Sequence, residues 1–345
     1  IYNMNDIIKW GIIGLGNVAY EFAKSFYNTK NSKLIAIASK TPDKLSKFKN
    51  EFNIKSNNCY NDYEKLLNSD EIDVVYITLP NTLHFDWTMQ AINKDKKILI
   101  EKPAFLNLEQ AEIIKQRIAE KKVFFTEGYF YRYLPHINDI IKIINENEIG
   151  ELVSMESSFG LNLLTKKKLF FFVKNKKINP SARLFNKDLA GGCILDLGCY
   201  PASFSLLIAS LIKDIDYKNF KLLDVKKEIG QTGVDIDASA AIQFEGGFTS
   251  TIKSSFKKNI GSQSIIKGEK GSVSIHDTWF GDVIKKKIGD RTYELKKRYY
   301  PQVFSYQIEN ISDAILNNLK EVLAPGMSLE ETLLNTKILE EWFNA

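Results

Sequence analysis

The stretch Gly14-Leu15-Gly16-Asn17-Val18-Ala19 limits what this chain can fold into more than any other. It reads G-x-G-x-x-A between an apolar run, Trp10–Ile13, and a helical pattern near Val18–Tyr27. In that setting the first glycine makes a tight turn and the second lets backbone approach a pyrophosphate. The alanine allows close packing of helix on strand, with the helix N-terminus facing the anion. Gly14, Gly16, Asn17 and Val18 are therefore the expected dinucleotide-binding positions. The following segments keep the alternation. Leu34–Ala38 reads as a strand, and Thr41-Pro42 opens a helix with proline at its first position. Asp73–Leu79 and Lys97–Ile100 are further strands around a helix over Thr82–Ile92. A helix over Leu108–Lys121, with Asn107 as its cap, and a strand at Val123–Thr126 complete the series. Strands alternating with helices predict an α/β Rossmann domain with a doubly wound parallel sheet, assigned to residues 1–126.

Beyond Glu127 the pattern changes. A helix is expected over Ile137–Asn147, a strand over Leu152–Phe159, and an irregular basic stretch over 160–189 that contains Phe170-Phe171-Phe172. A helix over Leu195–Ile212 precedes consecutive β-like segments, among them Ala238–Phe244 and Phe248–Ser254 around the turn Glu245-Gly246-Gly247. Consecutive strands with tight turns predict an antiparallel sheet, so residues 127–345 read as a second, α+β domain. Helices near Val303–Leu319 and Leu329–Phe343 end the chain, the last left open to pack back on the first domain. A length of 345 residues already makes two domains the default.

Composition removes several classes of function. No run of eighteen apolar residues suggests a membrane span, and Ile1–Lys9 lacks the apolar core and cleavage site of a secretory signal. The net charge of +5 comes without a nucleic-acid reader motif. The lysine tracts Lys166–Lys168 and Lys285–Lys287 read as solvated faces. Cys59, Cys193 and Cys199 are an odd set without CxxC spacing, which predicts free thiols in a reducing cytoplasm. His84, His136 and His276 are the only histidines and none stands at metal-ligand spacing from another, so no metal is expected. His84 is expected to cap its helix or contact backbone.

Three positions carry the candidate chemistry. The second strand ends in Ser39-Lys40-Thr41, where an NAD enzyme usually places an acidic residue for the ribose 2′-hydroxyl. A carboxylate repels a 2′-phosphate, whereas a hydroxyl and an ammonium bind it, so NADP(H) is the preferred cofactor with NAD(H) as the alternative. Glu101-Lys102-Pro103 follows a strand of the same sheet and so lies at the edge where ligands of open α/β sheets bind; Pro103 restricts Lys102 to an extended backbone. Finally, Gly191-Gly192-Cys193-Ile194-Leu195-Asp196-Leu197-Gly198-Cys199-Tyr200-Pro201 places Asp196 and Tyr200 on one helix face. Alcohol oxidation needs a group that takes the hydroxyl proton as hydride leaves carbon. Either Tyr200, with its pKa lowered by a lysine, or Lys102 itself serves, with Tyr200 then holding the oxygen.

Taken together, these motifs resemble the glucose–fructose oxidoreductase / inositol dehydrogenase family, written Gfo/Idh/MocA. The stretches that carry the likeness are Trp10–Ala19, Leu79-Pro80-Asn81-Thr82-Leu83-His84, Glu101-Lys102-Pro103, Gly128-Tyr129-Phe130-Tyr131-Arg132 and Gly191–Tyr200. The resemblance implies a Rossmann domain followed by a large, open, mostly antiparallel sheet. It implies Lys102 as a central catalytic residue, with Asp196 and Tyr200 facing the substrate. It places Asn81 and Glu101 near the nicotinamide, and Arg132 and Arg183 near the substrate cleft or its supporting shell. Many members carry histidine at the place of Tyr200. Tyrosine there is similar to the branch with glucose–fructose oxidoreductase, dihydrodiol dehydrogenase and xylose dehydrogenases, which generally uses NADP. Two departures touch the pocket: Cys193 stands where a third glycine is common, and Leu134-Pro135-His136 replaces a frequent His-Pro pair.

The expectation is an NADP(H)-dependent dehydrogenase or reductase acting on a sugar, polyol or cyclic diol. Asp196 would orient the substrate through its neighbouring hydroxyls. A nucleotide-sugar dehydrogenase or ketoreductase is the first rival, with Lys166–Lys168, Lys174, Lys176 and Lys177 meeting a diphosphate. A non-catalytic nicotinamide-binding sensor is the second, and the presence of both Lys102 and Tyr200 argues against it. An open sheet with an uncovered face predicts a homodimer, or a tetramer.

Overall fold

A computed structural model of the chain describes residues 7–167, 173–281, 283–296 and 301–345. Residues 1–6 and 168–172, which include Lys168 and the run Phe170–Phe172, lie outside them. The chain divides into two compact units. The first takes the chain through Leu134 and the later segment ending at Leu333; the second begins at Pro135 and closes with Leu334–Ala345.

In the first unit the strands are β1 (Ile8–Ile13), β2 (Ser32–Ala38), β3 (Cys59–Tyr60), β4 (Val74–Ile77), β5 (Lys97–Glu101) and β6 (Phe125–Gly128). They pair in parallel in the order β3-β2-β1-β4-β5-β6. Helices α1 (Asn17–Ser25), α2 (Pro42–Glu51), α3 (Tyr63–Leu67), α4 (His84–Asn93) and α5 (Leu108–Lys121) make the crossovers. Alternate residues of each strand point to opposite faces, so both faces need cover. Val75 and Ile77 pack with the α3–α5 side, including Leu66, Ile92 and Ile114. Val74 and Tyr76 pack on the other side with Trp10, Phe22 and Phe48.

In the second unit α6 (Pro135–Asn145) leads to β7 (Leu152–Gly160), then to the short hairpin β8 (Thr165–Lys167) and β9 (Val173–Asn175). Helix α7 (Cys199–Ala209) precedes β10 (Asp216–Ile229), β11 (Asp235–Glu245), β12 (Thr249–Ser255), β13 (Ser264–Gly268), β14 (Gly271–Ile275), β15 (Val283–Ile288) and β16 (Arg291–Lys296). The eight-stranded sheet runs β10-β11-β12-β7-β13-β14-β15-β16 and is antiparallel except between β12 and β7. Gly246 and Gly247, at φ +102° and +104°, turn the β11–β12 hairpin at the place the sequence marks. Every residue of α7 is buried. The apolar helical run Lys187–Ala209 has the length and composition of a membrane span, yet 94% of its window is enclosed by protein.

The division differs from the split at 126 that the sequence pattern suggested. Strand β6 runs on to Gly128, and helix α8 (Phe304–Leu316) belongs to the first unit. Its Ile308, Ile311 and Ile315 pack into the Trp10 side of the parallel sheet, and Trp10 Nε1 donates to Ser312 Oγ at 3.1 Å. Helix α9 (Leu329–Asn344) begins in the first unit and continues in the second from Leu334. An amphipathic stripe announces that a helix will pack, but it does not say on what.

Candidate functional site

The strand order reverses between β1 and β4, and at such a switch point the carboxyl ends of the strands open a crevice. The glycine turn after β1 occupies it. Gly14 needs to be glycine for the backbone: its φ is +88°, and a Cβ there would stand 3.0 Å from the Thr78 carbonyl oxygen. Gly16 is different. Its φ of −92° suits any residue, and a Cβ on it would meet no atom within 4 Å. The open space at Gly16 leaves the room that a pyrophosphate needs and that a side chain would fill.

Helix α1 starts there with no side-chain cap and no acidic residue in its first turn, so its leading N–H groups have no anion from the protein. Gly16, Asn17 and Val18 are exposed, Val18 at 44%. Asn81, just after β4, is 6% exposed, and its amide nitrogen finds no protein partner among the described residues. An uncapped helix start, room beside Gly16 that a side chain would fill and an orphaned buried amide on one sheet edge fit a dinucleotide. At the end of β2, Ser39 is buried and its Oγ accepts from the Thr41 N–H at 3.1 Å. Lys40 is exposed and lies 5.4 Å from the centre of the Tyr63 ring.

Lys102 follows β5 directly, half-buried, with the Lys102–Pro103 peptide cis. The turn behind it is held by buried side chains. His84 Nδ1 lies 2.9 Å from the Pro103 carbonyl oxygen and Nε2 2.8 Å from that of Leu79, the backbone contact expected of this histidine. Glu127, 1% exposed on β6, accepts the Ala104 N–H on Oε1 at 2.9 Å. Burial pushes the Glu127 carboxyl up to about 7, against the pull of the Ala104 N–H, Thr332 and Arg132. Glu101 accepts a hydrogen bond from the Tyr76 hydroxyl. Arg132 is fully buried: Nη1 pairs with Glu331 at 2.8 Å and reaches the Pro325 carbonyl at 3.3 Å. Its guanidinium is held in the interior of the first unit.

In the second unit, Asp196 and Tyr200 sit on consecutive parts of one helical run. Asp196 lies in a π-helical turn, Ile194–Gly198, and Tyr200 in the first turn of α7. The sequence predicts an uninterrupted α-helix, and Pro201 supplies the reason for the difference. It has no N–H to return to the Leu197 carbonyl and its ring crowds that group, so the preceding turn widens. Arg183 Nη2 donates to Asp196 Oδ1 at 2.8 Å, which brings two of the predicted residues together. Tyr200 is 7% exposed, its ring 5.3 Å from Phe159 and 5.2 Å from Trp279, centre to centre.

The turn is held by Asp235, a residue that no sequence pattern marks. Its Oδ2 accepts the Ile194 N–H at 2.7 Å from a buried position. Gly192, at φ +122°, would drive a Cβ to 2.2 Å from Asp235 Oδ1, so no larger residue fits. Burial raises the Asp235 carboxyl above its ordinary range. The signal for Glu127 was present, a lone charge closing the run Val123-Phe124-Phe125-Thr126. Asp235 carried no such signal, because its partner is distant in sequence. Among the described residues, no three metal-ligating side chains gather.

A parallel sheet with an anion-ready glycine turn and a lysine at a strand end, joined to a second unit with a large mixed sheet, defines a two-domain nicotinamide-dependent oxidoreductase. The chain belongs to the GFO/IDH/MocA family. Residues 8–129 match its oxidoreductase NAD-binding Rossmann-fold domain, and residues 137–274 match a GFO/IDH/MocA C-terminal domain. The chain is 26% identical to trans-1,2-dihydrobenzene-1,2-diol dehydrogenase of Xenopus tropicalis over 342 residues, covering 96% of each protein. It is 27% identical to D-xylose 1-dehydrogenase (NADP(+)) 2 of Haloferax volcanii over 249 residues, covering 72% of this chain and 70% of the relative. Its fold matches the aldose-aldose oxidoreductase of Caulobacter crescentus, solved with glycerol, at a TM-score of 0.84 and 20% identity, covering 98% and 97% of the two chains.

Proposed function

We propose that this chain is an NADP(H)-dependent oxidoreductase that acts on a hydroxyl-bearing carbon of a sugar, polyol or cyclic diol, or on the matching carbonyl. The observation that carries the reading is local to the first unit. A cradle left open at Gly16 and Lys102 at the end of β5 belong to one sheet edge. The named relatives act on a cyclic diol and on D-xylose, the latter with NADP(+).

Gly14, Gly16, Asn17 and Val18 would hold the pyrophosphate, and Ser39 and Lys40 the 2′-phosphate. Asn81 and Glu101 would flank the nicotinamide, which when bound supplies or accepts the hydride. In the first unit Lys102 would stabilise negative charge on the reacting oxygen. In the second unit Tyr200 is the candidate for carrying a proton, and Asp196, held by Arg183, for accepting hydrogen bonds from substrate hydroxyls.

The test is a turnover screen read by nicotinamide absorbance, with NADP and NAD in parallel, over free sugars, cyclic diols and nucleotide sugars. Turnover that prefers NADP and is lost in Lys102→Ala is the expected outcome. Cofactor binding without turnover on any of these substrates would support a sensor instead.

A nucleotide-linked sugar is the second reading, and one observation favours it. Lys166 and Lys174 face each other across the β8–β9 hairpin, with Lys176 close by. Like charges directly opposite destabilise a hairpin unless an anion lies between them. For assembly we infer a homodimer. The eight-stranded sheet exposes Glu156, flanked by Lys253 at 3.6 Å and Lys267 at 3.3 Å, and Ile265. A monomer in gel filtration at micromolar concentration would refute this. For localisation we infer a reducing cytoplasm, from three cysteines without CxxC spacing.

A further inference from the structure

We propose that Glu127 is the positioning residue of the Lys102 turn: its buried carboxylate holds the Ala104 N–H and so fixes the backbone from which Lys102 acts. This rests on the reading of Lys102 as the catalytic lysine.

The parallel register puts Glu127 beside Ile100, and Gly128 beside Glu101, so β6 delivers the carboxylate to the point where the chain leaves β5. Gly128 keeps that approach close, since a Cβ there would stand 3.0 Å from the Ile100 carbonyl oxygen. Glu127 Oε1 then takes the Ala104 N–H at 2.9 Å, while His84 faces the Pro103 carbonyl from α4. The two residues that follow Lys102 are thus tied to two different elements, and Lys102 leaves a backbone with little freedom.

A neutral glutamine would make the same single bond at a smaller desolvation cost. A carboxylate in its place gives a shorter, stronger, charge-assisted bond. The charged and polar groups facing Glu127 are Glu101 on β5, Arg132 after β6 and Thr332 on α9, with Glu331 paired to Arg132. Only Arg132, Thr332 and the Ala104 N–H favour the ionised form, and burial opposes it strongly enough that the group titrates near neutrality. The hold on the turn therefore tightens as pH rises through that range.

Two readouts test this in Glu127→Gln and Glu127→Leu, with Lys102→Ala as control. The first is kcat, KM and NADP affinity from pH 5.5 to 9, with D-xylose and trans-1,2-dihydrobenzene-1,2-diol as probes. The second needs no substrate: the pH dependence of Lys102 acetylation by acetic anhydride, read by mass spectrometry against Lys40. Because misplacement by about 1 Å costs on the order of 100-fold, kcat should fall roughly 30-fold or more in Glu127→Leu. In Glu127→Gln it should fall about three- to tenfold, with NADP affinity held within about twofold in both. Glu127→Gln should also lose the acid limb near pH 7, and the Lys102 acetylation profile should shift while that of Lys40 stays. Folded variants with the wild-type acetylation profile and kcat would overturn the proposal. So would a loss of NADP affinity as large as the loss of kcat, which marks a merely structural role. If Glu127→Leu does not fold, the profile of Glu127→Gln decides. Full activity in Lys102→Ala would overturn the functional reading itself. An inactive Lys102→Ala beside unaltered Glu127 variants would overturn only the positioning role.

Discussion

Glu127 in the first unit and Asp235 in the second are both buried carboxylates that take a backbone N–H just beside a candidate catalytic residue. The settings differ. Glu127 reaches the Lys102 turn from the adjacent strand of a parallel sheet, with Arg132 close enough to favour its charge. Asp235 reaches Ile194 from the start of β11, beside Cys193, the Ile194 N–H and the charge of Lys227. The first turn exists because of topology, since any strand of this sheet must end at the ligand-binding edge. The second exists because of packing, since a widened turn, a proline and a glycine without room for a side chain must all coincide.

The comparison breaks most sharply at Gly192. Gly192→Ala places a Cβ at φ +122° and 2.2 Å from Asp235 Oδ1. Unfolding stability should drop by roughly 3 kcal/mol or more, from backbone strain plus a displaced buried carboxylate. Denaturant unfolding gives the measurement, and an unchanged midpoint would show that the Asp235 bond does not organise this turn.

The next effect separates the two carboxylates by pH. Folding raises the Glu127 carboxyl from 4.5 to about 7, so between those values the folded protein holds a proton the unfolded chain has released. Stability therefore falls as pH rises through that window and levels off above about 7, by roughly 3 kcal/mol in total. Glu127→Gln should flatten that part of the curve. A slope that persists in the variant would assign it to other groups, Asp235 among them, whose pKa is raised in the same direction.

The smallest structural effect carries the largest functional contrast. Gly16→Ala has an ordinary φ and an empty surrounding, so stability should move by about 0.5 kcal/mol or less. NADP affinity, by isothermal titration, should still fall tenfold or more, about 1.4 kcal/mol, because the methyl fills the pyrophosphate cradle. Equal affinity in the variant would remove Gly16 from the cofactor site. Set against Gly192→Ala, it distinguishes a glycine kept for a ligand from a glycine kept for the fold.

The sequence alone determined the first unit's parallel sheet, its glycine turn and the place of Lys102. The physical reason is locality: strand, turn and helix N-terminus are neighbours in the chain, and periodicity with turn chemistry reports on neighbours. It also marked Asp196 and Tyr200, through their spacing on a helix and their family pattern. Tertiary structure alone decided the rest. The return of α8 to cover the parallel sheet joins Ser312 to Trp10, a pairing no local pattern encodes. The π-turn under Asp196, the commitment of Arg132 to Glu331, and the carboxylates of Glu127 and Asp235 behind their turns arise the same way. Each depends on burial that distant segments create, and burial sets both the strength of a polar contact and the pKa of the group that makes it.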